Sequence, residues 1–123
     1  MNNTDFQKSL QEATLEQMNK LQKEELWKKE LLKEHFVRFS HLLRSYLTSR
    51  YGVSFLDKTT QQSLFLLDSL SIDEALKSKI LQLLKSSDLV KFADSNIEDK
   101  YISFLFEDFT SIVIQTTPII EET

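Results

Sequence analysis

The chain has 123 residues, of which 41% are hydrophobic and 28% charged, and a net charge of −4. That is the length of one domain with a globular composition, which excludes an intrinsically disordered chain and leaves enough sequence for a single core. One Gly, one Pro and no Cys exclude disulfides and thiolate chemistry, and argue against a turn-rich sheet fold, because turns draw on Gly and Pro.

Residues 4–30 carry an amphipathic helical pattern. Leu15, Met18 and Leu21 recur at three-residue steps, Leu26 and Trp27 follow, and Glu16 with Lys20 falls at i,i+4. Residues 1–12 are expected to fray. Residues 31–51 give the clearest helix: Leu32, Phe36, Phe39, Leu43, Tyr46 and Leu47 step by three and four. Gly52, the only glycine, stands where a left-handed residue closes a helix, with Val53 as its apolar contact. "VSFLD" then reads as a short extended connector.

Three capping boxes open the remaining helices: Thr59 with Gln62, Ser71 with Glu74, and Ser95 with Glu98. The first helix carries Leu64, Leu67 and Leu70. The second carries Leu76, Ile80, Leu83 and Leu84, and ends before Asp88. The last carries Ile97, Tyr101, Leu105, Phe109, Ile112 and Val113, and Pro118 stops it. The sequence therefore predicts an all-α fold: one domain over residues 1–123, a compact bundle of about five helices with one short extended connector at Asp88–Ala93.

That connector, "DLVKFA", lacks Gly and Pro yet holds Leu89, Val90 and Phe92. Asp88 just past a helix C-terminus faces the negative end of the dipole, and calls for a basic partner or a capping role. Either Val90 and Phe92 close one end of the core with Lys91 outward, or the stretch is an exposed docking element.

The charge is uneven. Residues 1–50 carry nine basic and seven acidic side chains, net +2; residues 51–123 carry six and twelve, net −6. A helix-turn-helix reading of the pair at 60–70 and 72–86, which would make the chain a nucleic-acid-binding regulator, lacks the basic face that phosphate contacts need. No nucleic-acid partner is expected. The most apolar window, Tyr101–Ile114, is too short to span a bilayer and holds Glu107 and Asp108.

No reaction chemistry is legible. His35 and His41 are six apart, not the four of a helical metal pair, and read as one half-buried and one surface imidazole. Glu107 and Asp108 are adjacent and diverge on a helix. A single glycine excludes phosphate-binding loops, dinucleotide fingerprints and a nucleophile elbow. No enzyme activity, metal or cofactor is expected. Phe55, Phe65, Phe104 and Phe106 lie off the main stripes or in connectors. They mark either an exposed partner surface or a wider core. Arg44 and Arg50 read as partner contacts, or as ties to nearby acids and helix-end carbonyls.

Several of these elements recur in order in a known family. Leu26-Trp27, Tyr46-Leu47, Arg50-Tyr51-Gly52, Thr59-Thr60 and Asp88 to Ala93 together resemble the cytosolic C-terminal domain of BatD-like, aerotolerance-type membrane proteins, over roughly residues 13–118. Gln61 and Gln62 stand where that family usually has acids. The resemblance implies a non-enzymatic protein–protein interaction domain on the cytoplasmic side of the bacterial inner membrane. It would be attached through a segment outside this chain, and would meet a MoxR-type AAA+ ATPase or a von Willebrand factor A protein. The residues expected to touch such a partner are Arg50, Asp88, Lys91, Phe92, Phe104 and Phe106.

Overall fold

The computed structural model of the chain describes the backbone of residues 3–91 and 97–118 and the side chains of 9–88 and 97–118. It contains five helices: α1 (Asn3–Glu24), α2 (Leu32–Tyr51), α3 (Thr60–Asp68), α4 (Glu74–Lys91) and α5 (Asp99–Thr116). A 3-10 turn, Leu26–Lys29, joins α1 to α2. No strand occurs among the described residues, so the all-α expectation holds. α2 packs on α1 and α4, α5 packs on the same two helices, and α3 leans on α4. Four helices thus close a ring around one core.

The stripes read from the sequence fill that core. Phe36, Leu43 and Leu47 of α2, Leu84 of α4, and Phe109 and Ile112 of α5 are buried. The Phe109 ring meets Phe39 edge-on at 5.5 Å and stacks with Tyr46 at 6.4 Å. Each such side chain contributes about 1.5–3 kcal/mol by leaving water.

The single helix expected over residues 4–30 is broken. α1 ends at Glu24, and Glu25 (φ 47°) and Glu30 (φ 61°) both adopt left-handed backbone at either side of the 3-10 turn. Each such residue costs about 1 kcal/mol. The gain is that Leu26 turns inward to 6% exposure. Trp27 also reaches across the bundle, donating its indole N–H to Asp99 Oδ1 at 2.9 Å.

Other helix ends follow local chemistry. Gly52 closes α2 at φ 73°, its N–H on the Thr48 carbonyl at 2.9 Å. The Thr48 hydroxyl then accepts the Phe55 amide at 2.9 Å, and Phe55 is fully buried. The "VSFLD" connector is therefore part of the core wall. Thr59 and Gln62 form both halves of the predicted capping box, at 3.1 and 2.9 Å. α4 departs from expectation: Asp73, not Ser71, caps it, its Oδ2 accepting the Ala75 and Leu76 amides at 3.1 and 3.3 Å. A carboxylate nearer the helix start outcompetes the serine, and leaves Ile72 outside the helix against the core. α5 begins after Glu98, which makes no side-chain cap; Ser95 lies outside the described residues.

The expected extended connector is also corrected in part. α4 continues through Asp88 to Lys91, while Phe92 and Ala93 lie outside the described residues. The reason is electrostatic. Asp88, instead of opposing the carbonyl end of α4 unaided, is held by Thr60 and Arg44.

Candidate functional site

The residues that carry the sequence pattern are drawn into three polar ties. In the first, Arg44 on α2 is 8% exposed. Its Nε donates to the Lys58 carbonyl at 3.2 Å and its Nη1 to the Ser40 hydroxyl. Its Nη2 lies 3.4 Å from Thr60 Oγ1 and 3.7 Å from Asp88 Oδ1, and the Thr60 hydroxyl donates to Asp88 Oδ2. Thr60 of the threonine pair, Arg44 and the aspartate of "DLVKFA" therefore meet at one junction, joining α2, the start of α3 and the end of α4. A buried guanidinium is stable only with such complete pairing.

The second tie closes α5 on α2. The Tyr46 hydroxyl lies 2.6 Å from Thr116 Oγ1 and donates to the Val113 carbonyl at 3.3 Å. Arg50 Nε donates to the Thr116 carbonyl, and its guanidinium stands over the Tyr51 ring at 5.4 Å. The third tie is Trp27, bonded to Asp99 and set edge-on to His35 at 5.0 Å. His35 is 1% exposed, and its Nδ1 has no hydrogen-bond partner. Burial, aided by the positive charge of Arg38, holds its imidazole down at about 4. His35 is a neutral core ring rather than the half-buried one expected; His41 is exposed.

The six residues singled out from sequence thus separate. Asp88 and Arg50 are engaged inside the fold. Lys91 ends α4, its side chain outside the described set, and Phe92 lies beyond it. Phe106 is half-buried against the core. Of the four whose side chains are described, Phe104 alone is broadly open, at 56% exposure. Of the other off-stripe phenylalanines, Phe65 is exposed on α3 and Phe55 is core.

Phe104 does not stand alone. Tyr101, one turn earlier on α5, is 38% exposed. Both line a groove of about 500 Å³ between α4 and α5, with Ala75, Ser78 and Gln82 on the α4 wall. Lys79 is fixed on that wall by donating to Ser111 Oγ at 2.8 Å. Small and polar residues on one side and two aromatics on the other make a slot for an apolar side chain with a polar rim. The chain matches no family model, no curated protein and no solved structure.

Sequence reading assigned Tyr101 to the core stripe and passed over Val37, 54% exposed on α2, and Ile114, 54% exposed on α5. Tyr101 was findable: it sits one position before the buried Ile102 in the first turn of α5 and so faces away from the covered side of the helix. Among the described residues, no three His, Asp or Glu side chains stand close enough to hold a metal ion, and no helix is long and apolar enough to cross a membrane.

Proposed function

We propose that this chain is a non-enzymatic protein-interaction domain whose binding surface is the aromatic groove between α4 and α5. The observation that carries the reading is the exposure of Tyr101 and Phe104 side by side over that groove. Large aromatics left in water form the anchors from which interfaces draw most of their energy. The polar residues with chemical potential, Arg44, Arg50 and Asp88, are meanwhile occupied in holding helices together.

The setting follows from the sequence resemblance. On that reading the chain is a BatD-like cytosolic domain at the cytoplasmic face of a bacterial inner membrane, tethered by a segment outside this chain. Its partner is a MoxR-type ATPase or a von Willebrand factor A protein. Support comes from Trp27, Tyr46, Arg50, Thr60 and Asp88, pattern residues that each tie two elements of this bundle. The helix-turn-helix alternative finds no such support: α3 carries no basic residue, and Lys77 of α4 is held by Asp68 and Glu74 at 2.8 and 2.7 Å.

The test is binding of the purified chain to each of these two partners from the source organism, alongside Phe104→Ala and Tyr101→Ala. The reading requires binding to at least one partner, weakened in variants that keep the wild-type melting temperature. Absence of binding to both would reject the setting. Binding untouched by both variants would reject the surface.

A further inference from the structure

A second surface lies along α2, where the exposed Val37 and His41 stand beside the buried Ser40 and Arg44. Val37, Ser40, His41 and Arg44 fall at i, i+3, i+4 and i+7, one stripe about 10 Å long. Toward α1 this stripe borders a groove of about 710 Å³, floored by Leu21 and Leu42. Toward the α3 entry it borders another of about 480 Å³, closed by Lys58, Thr60 and Asp88. Val37 and His41 line both, so the two adjoin along this stripe as the halves of one shallow channel, with these side chains standing between them. The polar junction of Arg44, Thr60 and Asp88 is its far wall.

The charge of this channel runs against that of the molecule. Five cations line it: Lys20, Lys23, Arg38, Arg44 and Lys58. Three carboxylates, Glu24, Asp57 and Asp88, leave it at net +2. The chain as a whole is −4, so everything outside the channel sums to −6. Arg38 is spent on Glu24 at 2.7 Å, Arg44 on Asp88, and Lys20 faces Glu16 at 3.4 Å. Lys23, near the α1 end, and Lys58, at the α3 end, make no ion pair among the described residues. Between these two cations Val37 holds an apolar side chain in water.

We infer that this channel binds an acidic protein segment: carboxylates toward Lys23 and Lys58, and an apolar side chain between them over Val37 and Leu42. Charge selects the occupant. A basic or neutral segment would leave both lysines unanswered, whereas an acidic one pairs with both and is disfavoured by the net −6 summed over the rest of the chain. The inference is independent of the α4–α5 groove and of any named partner, since it uses none of the same residues.

The experiment is an NMR titration of the isotope-labelled chain with two synthetic amphipathic peptides of equal length, one of leucine and glutamate, the other of leucine and lysine. The expected result is saturable binding of the glutamate peptide, with shifts at the Val37, His41 and Lys58 amides and weakening as salt is raised. Affinity should fall about tenfold or more in the double variant Lys23→Glu/Lys58→Glu. It should stay within about twofold in Lys85→Glu/Lys100→Glu, which changes the net charge equally, elsewhere. Circular dichroism establishes that both double variants stay folded. The inference is overturned by no saturable binding, by equal binding of the two peptides, by shifts confined to α4 and α5, or by equal loss in both double variants.

Discussion

Two sets of aromatic rings divide this molecule. Phe36, Phe39 and Phe109 are buried and touch one another through edge-on and tilted contacts. Phe65, Tyr101 and Phe104 belong to the same chemistry but stand in water. On α5 the division is a matter of phase. Ile102, Leu105, Phe109 and Ile112 hold the buried stripe, and Phe104 sits one residue before Leu105, turned away from it by about 100°. The difference teaches where the contribution to stability ends. An interior ring is held by its neighbours, whereas an exposed ring contributes little to the fold and stays available to the partner proposed above.

The sharpest way to break the comparison is Phe109→Ala. Removing a fully buried ring that touches Phe39 and Tyr46 should cost about 3–5 kcal/mol, read as a lower denaturant midpoint; a loss under about 1 kcal/mol would mean this ring is not core.

Next in size is the pH dependence of His35. Its folded-state value, about 4, lies below the usual 6.5 of an unfolded imidazole. The unfolded chain therefore takes up the proton first as pH falls. The contribution is complete above about pH 6.5, declines between there and pH 4, and is gone below. The full span is on the order of 3 kcal/mol. Denaturation at pH 7 and pH 4.5 should show a larger stability loss in wild type than in His35→Leu, whose side chain cannot titrate.

A smaller effect is expected for Tyr46→Phe, which keeps the ring against Phe109 but removes the hydroxyl between Thr116 and Val113. The loss should be about 1 kcal/mol, because Thr116 still donates to the Ile112 carbonyl. Smallest of all is Phe104→Ala, expected to change stability by less than about 0.5 kcal/mol. A drop of 2 kcal/mol or more would place Phe104 with the interior set and remove it from the proposed surface.

Much of the fold behind this division is legible in the sequence. The α2 stripe, the Gly52 terminus and the Thr59 cap are local signals, and each lies where periodicity and capping chemistry put it. What was not legible depended on tertiary partners. α1 breaks at Glu25 because Leu26 and Trp27 have destinations in the core and on Asp99. Asp88 remains helical because Thr60 and Arg44, 28 and 44 positions earlier in the numbering, supply what the α4 terminus lacks. Phe55 is core because Thr48 captures its amide. Of the candidate site, Phe104 was legible as an aromatic out of phase. The groove was not, because its other wall comes from α4.

The most direct test of the central claim is the dissociation constant of the purified chain with each of the two proposed partners, a MoxR-type ATPase and a von Willebrand factor A protein, for wild type and for Phe104→Ala. The account predicts a measurable complex with one of them that weakens at least about tenfold in the variant, the ordinary cost of losing an aromatic anchor, while the melting temperature is unchanged. An equally tight complex in both, or none in either, would contradict it.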